Sequence, residues 1–197
     1  MTAAQADLAR ARTEFREMPE GLRLDGPEVE DGATIWRIAR DSKTLDLNSS
    51  YSYLLWCRDF AGTSVVARDS GGDPVGFITG YIRPDRPQTL VVWQVAVDAS
   101  QRGRGLAAAM LDGLIDRISA RQELVSLETT IAPGNVPSER LFTSFGRRSG
   151  ATVEREVLFD AGLFPDGGHD PEVLYRIGPL APGRPPAPEE PAGTGVA

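Results

Sequence analysis

From Leu106 to Ile118 apolar side chains fall at Leu106, Met110, Leu111, Leu114, Ile115 and Ile118, the spacing of a helix that lays one face on a core. Directly upstream, Leu90 to Asp98 is a run of strand formers. Thr63 to Arg68 and Val75 to Ile82 also read as strands, and the Ser70-Gly71-Gly72-Asp73 turn between them predicts a hairpin. Nearer the N-terminus, Leu22 to Leu24 fits a short strand. Glu30 to Arg40 carries Ile35, Trp36, Ile38 and Ala39 in a helical pattern, and Asn48 or Ser49 caps a second helix with Tyr51, Leu54 and Leu55. After the long helix come a strand at Leu124 to Thr130, a helix at Val136 to Arg148 with Leu141, Phe142 and Phe145 inward, and strands near Thr152 to Leu158 and Val173 to Ile177. This order predicts an α/β domain with a mixed central sheet flanked by helices. Trp36 and Trp56 are expected in its core.

The ends depart from this pattern. Residues 1–21 are charged and Ala-rich, a flexible extension in which Ala4 to Phe15 fits a short helix, and 181–197 is a Pro/Gly-rich tail that cannot build a core. The folded domain is therefore expected over 22–180. With 197 residues, 41% of them hydrophobic, the chain can bury one substantial core. A net charge of −7 argues against a nucleic-acid partner. No apolar run reaches the roughly 18 residues of a membrane span, and no signal-peptide core is visible. Cys57 is the sole cysteine, so no intrachain disulfide forms, and a cytoplasmic location is the default. One His and one Cys make no metal-ligand cluster, so no metal is expected.

Chemistry first appears where the Leu90 to Asp98 strand passes through Arg102-Gly103-Arg104-Gly105 into the long helix. A helix start carries unpaired N–H groups and partial positive charge. The glycines let backbone approach a phosphate, and the arginines add charge. A pyrophosphate is the expected guest, although the tetrapeptide alone also fits a solvated turn. The Gly-x-x-x-x-Gly-Lys-Ser/Thr loop is missing, and Ala108 stands where a Gly-x-Gly-x-x-Gly fingerprint needs its third glycine.

Val95-Ala96-Val97-Asp98 followed by Arg102-Gly103-Arg104-Gly105-Leu106-Ala107 resembles the acetyl-CoA site of the GCN5-related N-acetyltransferase superfamily. The resemblance implies that fold, with acetyl-CoA as co-substrate and a bulged strand whose free backbone near Val95 and Val97 binds the pantetheine arm. Further blocks are similar to one family within it, the L-2,4-diaminobutyrate acetyltransferases of ectoine biosynthesis. They are Ile35-Trp36, Leu45-Asp46-Leu47-Asn48-Ser49 with Tyr51 and Tyr53, Val92 to Val97, Leu127 to Ile131, Asn135, and His169-Asp170 with Glu172. The implied reaction moves acetyl from acetyl-CoA to the 4-amino group of L-2,4-diaminobutyrate, and the implied assembly is a homodimer. The apolar segment Phe159 to Phe164 and the strands after Gly150 would serve a partner or the monomer's own core.

An alkyl ammonium, with an ordinary pKa of roughly 10, must lose a proton before it attacks a thioester. Selecting one amine of two also needs groups that hold the amino acid. The resemblance makes Asp46 the partner of a substrate ammonium, Asn48 and Tyr51 its orienting neighbours, and Trp93 a wall of the pocket. Asp46 and Asn48 equally fit a turn and cap. Glu128, in a strand that otherwise reads as core, either pairs with an arginine or meets the amine. Glu128 or Glu172, through water, is the expected base, and His169 a substrate-loop residue able to carry a proton. The oxyanion would be held by backbone N–H near Val95, and Asn135 would contact CoA or only cap its helix. Many superfamily members have a tyrosine seven residues after that asparagine to protonate the thiolate; here the residue is Phe142. Tyr51 or Tyr53 could substitute, and a thiol of pKa roughly 8.5 can also leave unprotonated. The rival readings are an acetyltransferase for another diamine such as ornithine or lysine, and a non-catalytic acetyl-CoA sensor.

Overall fold

The structure, a computed structural model, describes residues 17–165 and 168–180. The helix expected at Ala4 to Phe15 and the 181–197 tail lie outside the described residues. The strands are β1 Arg23–Asp25, β2 Val65–Arg68, β3 Pro74–Arg83, β4 Arg86–Val97, β5 Ser126–Ile131, β6 Thr152–Phe159 and β7 Glu172–Gly178. They form one sheet in the order β1-β2-β3-β4-β5-β7-β6, antiparallel throughout except between β4 and β5. The helices are α1 Gly32–Ser42, α2 Ser50–Asp59, α3 Leu106–Ser119 and α4 Val136–Arg148. The expected mixed sheet flanked by helices is therefore present. Its clearest shift is β4, which begins at Arg86 because the chain turns back tightly and pairs Arg83 with Arg86; the polar residues there hid this from the apolar pattern.

Each sheet face has its own core. Leu106, Met110, Leu111, Leu114, Ile115 and Ile118 of α3 all bury with Phe142 and Phe145 of α4 against Leu90, Val92 and Leu127. On the opposite face Ile35, Ile38 and Ala39 of α1 and Tyr53 and Cys57 of α2 pack on Val66, Phe77 and Ala96. Trp56 is buried as expected, while Trp36 is only partly covered and lies under the Arg40 guanidinium. Among the described residues no helix is long and apolar enough to cross a membrane.

One buried ion pair fastens α1 to the sheet. Asp31, just before α1, takes two hydrogen bonds from Arg68 of β2, at 2.8 and 2.7 Å, and one from the Glu28 N–H at 2.7 Å. Both partners are buried, so removing one strands the other's charge. Asp31→Ala is expected to lower the unfolding free energy by about 3 kcal/mol in denaturant titration. The value sits at the low end of the usual range because Asp25 remains 3.3 Å from Arg68 Nε.

Candidate active site

The site begins with a defect in the sheet. Thr79 of β3 faces Gln94 of β4, but the next residue, Gly80, faces Val92, so Trp93 has no opposite number and forms a β-bulge. Gly80 makes this possible: a Cβ there would lie 2.8 Å from the Val91 carbonyl oxygen and 3.0 Å from that of Thr63. The extra residue reverses which side chains face α3. Before the bulge Leu90 and Val92 belong to the α3/α4 core; after it Val95 and Val97 pack there, and Ala96 joins the α1/α2 core. β4 also parts from β5. Their parallel pairing runs only from Thr89–Ser126 to Val91–Glu128, after which β5 pairs with β7 alone. The β5-side edge of Val92–Val97 is thus left to an added partner.

Beyond β4, Asp98 caps a short turn by accepting from Ser100 N at 3.0 Å. Gly103 and Gly105 follow at φ 77° and 78°, values that suit glycine, and Gly105 opens α3. A cavity of about 890 Å³ lies against this junction. Val95, Val97, Arg102, Gly103, Gly105, Leu106, Ala107 and Asn135 line it, with further walls from α4 and from Thr44 and Leu45. The volume suits a cofactor-sized ligand. Arg104 is outside the lining: it donates to the Glu20 carbonyl at 2.8 Å and to Gln101. Asn135 caps α4 by accepting from Ser138 N at 3.2 Å, and it also borders the cavity.

On the α1/α2 side a polar cluster gathers from distant segments. His169 Nε2 lies 3.0 Å from Asp46 Oδ2 and 3.9 Å from Glu172 Oε1, and its Nδ1 is 2.6 Å from the Asp170 carbonyl. Phe164 stacks on the imidazole at 3.8 Å. Since both ring nitrogens face oxygens, the imidazolium satisfies both, and the His169 pKa is raised, by the Asp170 carbonyl first and Asp46 second. Ligand atoms of Asp46, His169 and Glu172 lie within 4.8 Å of one another, which gathers two carboxylates around one imidazole. The Asp46 carboxylate remains largely exposed.

Trp93 is half-exposed and packs on Trp56 of α2 with ring centroids 4.6 Å apart. Asn48 Nδ2 lies 3.4 Å from the Asp46 carbonyl, whereas Ser49, not Asn48, caps α2. Tyr51 is exposed. Phe142 is buried in the core, and the Tyr53 hydroxyl donates to Gln94 Oε1 at 3.0 Å. Glu128 takes the arginine reading: it is buried, with Arg83 Nη1 and Arg176 Nε each 2.9 Å away. Burial raises its pKa, but Arg176 and Arg83 outweigh that and hold the carboxyl below its usual range, which makes it a weak proton acceptor. The Cys57 thiol is buried and pushed up to about 11, so it is no nucleophile. Arg83, Arg176 and Gln94 were missed from the sequence, and Tyr53 was read there only as a possible acid, not as the partner of Gln94. The one available signal was a glutamine inside an apolar strand, which needs a partner.

The chain belongs to the acetyltransferase (GNAT) family, whose match spans residues 32–146. An L-2,4-diaminobutyric acid acetyltransferase from Streptomyces avermitilis is 70% identical over 181 residues, covering 92% of this chain and 99% of the relative. One from Virgibacillus pantothenticus is 44% identical over 154 residues, 78% of this chain and 96% of the relative. Within the acetyltransferases the chain therefore belongs to the L-2,4-diaminobutyric acid acetyltransferase family. The Paenibacillus lautus diaminobutyrate acetyltransferase, solved with its substrate L-2,4-diaminobutyric acid and coenzyme A, is 40% identical with a TM-score of 0.75, over 80% of this chain and 95% of that one.

His169 is the chain's single histidine, so its NMR titration is unambiguous. The midpoint is expected above the ordinary value near 6.5 and should fall in Asp46→Asn. Because the folded value exceeds the unfolded one, the contact stabilises fully below the unfolded pKa and is lost as pH rises through the folded pKa.

Proposed function

We propose that the chain transfers acetyl from acetyl-CoA to the 4-amino nitrogen of L-2,4-diaminobutyrate, giving N4-acetyl-L-2,4-diaminobutyrate and CoA in ectoine biosynthesis. The observation that carries this reading is the split between β4 and β5, with the cavity on one face of the sheet and the Asp46–His169–Glu172 cluster on the other. CoA's pyrophosphate lies on Arg102, Gly103 and the N–H groups that open α3. Its pantetheine arm pairs with the free edge of β4 at Val95 and Val97, which brings the thioester into the split.

The diaminobutyrate is held by Asp46, which takes an ammonium, with Asn48 beside it and Trp93 as a wall. Glu172, linked to His169, removes a proton from the 4-ammonium through water; Glu128, gripped by its arginines, instead braces the apex of the split. The freed lone pair attacks the thioester carbonyl and the C–N bond forms. Backbone N–H near Val95 steadies the oxyanion until the C–S bond breaks, and the nitrogen's second proton passes through water to the departing CoA thiolate, leaving a neutral amide and CoA. No metal enters this sequence.

A homodimer belongs to the same reading. Val157, Leu158 and Phe159 on the edge strand β6 and Leu163 beyond it are all exposed, and a second copy would cover them. We also infer a cytoplasmic location, where acetyl-CoA is available, with no nucleic-acid or membrane partner.

Initial-rate CoA release on diaminobutyrate, ornithine and lysine, with the product nitrogen assigned by NMR, tests the activity. Strong preference for diaminobutyrate with acetyl at N4 is expected. Equal use of the longer diamines would point to another acceptor, and acetyl-CoA binding without turnover to a sensor. Arg102→Ala is expected to raise the KM for acetyl-CoA about tenfold or more in the same assay, the effect of losing a charge-assisted hydrogen bond.

A further inference from the structure

Gln94 lies in an apolar strand and is nearly fully buried. A buried amide costs stability unless its donors and acceptor find partners. The bulge at Trp93 determines where it finds them. Without that extra residue the alternation of β4 would turn position 94 toward α3; with it, Gln94 faces α2 and the loop between α1 and α2. There its Oε1 accepts from the Tyr53 hydroxyl at 3.0 Å, and its Nε2 donates to the Asp46 carbonyl at 2.9 Å. The first bond fixes the orientation of the second, because a hydroxyl donor on Oε1 leaves the NH₂ to point at Asp46.

Asp46 belongs to the loop after α1, which ends at Lys43 with a left-handed φ of 58°, and before α2, which is capped by Ser49. Its carboxylate is exposed, so nothing in its immediate packing locates it. Its backbone is held by Gln94 from the sheet and, more loosely, by Asn48 Nδ2 at 3.4 Å. The carboxylate then meets His169, 123 residues along the chain.

We infer that Gln94 is a positioning residue: through the Asp46 backbone it sets the Asp46 carboxylate against His169, and so sets selection of the substrate's ammonium without touching substrate. This rests on the function proposed above for its consequence in catalysis, but not for its geometry. It ties the bulge on the cofactor edge of β4 to the acceptor site, since Trp93 and Gln94 are consecutive.

Two variants separate this from a merely structural role. Gln94→Met keeps the size and removes both hydrogen bonds; Gln94→Leu removes them with a stiffer apolar side chain and, like Met, adds no charge near His169. The groups facing this position are the Tyr53 hydroxyl from α2 and, through Asp46, His169 and Glu172. In either variant the His169 NMR titration midpoint is expected to fall toward 6.5, and the KM for diaminobutyrate to rise roughly three- to tenfold, the effect of one lost hydrogen bond, while the KM for acetyl-CoA stays within about twofold. Should Gln94→Met not fold, Gln94→Leu decides alone. An unchanged His169 midpoint, or KM values for both substrates rising together, overturns the inference. If the unaltered protein does not acetylate diaminobutyrate, the functional reading fails, and the His169 midpoint still decides whether Gln94 positions Asp46.

Discussion

A strand inside a sheet cannot leave its N–H and C=O groups unpartnered without a cost, and past Val91 the β5-side edge of β4 has lost its neighbour. The bulge at Trp93 follows two residues later, with Gly80 permitting the close approach and Glu128, clasped by Arg83 and Arg176, sitting at the last paired position. On the function proposed above, an extended pantetheine arm restores the missing pairing as another strand would. The same extra residue swaps the faces of the strand. It gives Val95 and Val97 to the cavity side and delivers Trp93 and Gln94 to the acceptor side.

Charge follows the same division. The chain carries a net −7, unfavourable at long range for an anionic cofactor, so attraction has to be local. Arg102 and the start of α3 supply it at the cavity. Across the sheet, the Asp46 and Glu172 carboxylates stand around His169 and outnumber its single positive charge, and on the function proposed above they take the acceptor's ammonium. On the function proposed above, the anionic cofactor and the cationic acceptor each meet the charge they need on either side of the open edge of β4.

Much of this was legible in the sequence because it is periodic or local. The α3 face, the glycine turn and the α4 boundaries are written in short-range spacing, and each is present. What was hidden is long-range. Asp46 and His169 are brought together by the fold, and Glu128 looked like a base or a structural partner until Arg83 and Arg176 were seen beside it. Arg104 shared a motif with Arg102, yet its side chain reaches for Glu20 instead of the cavity, a choice no spacing encodes. Gln94 carried a faint sign, an amide in an apolar strand, but its partner lies in another element.

The central claim is that the reactants arrive from opposite faces and meet at the opening between β4 and β5. A crystal structure of the ternary complex with CoA and L-2,4-diaminobutyrate tests it most directly. The account predicts pantetheine hydrogen-bonded along Val95–Val97, with the 4-amino nitrogen approaching the thiol end of the arm through the split and the rest of the amino acid at Asp46 and Glu172. Diaminobutyrate bound on the α3/α4 side, or presenting its 2-amino group to the sulfur, would contradict it.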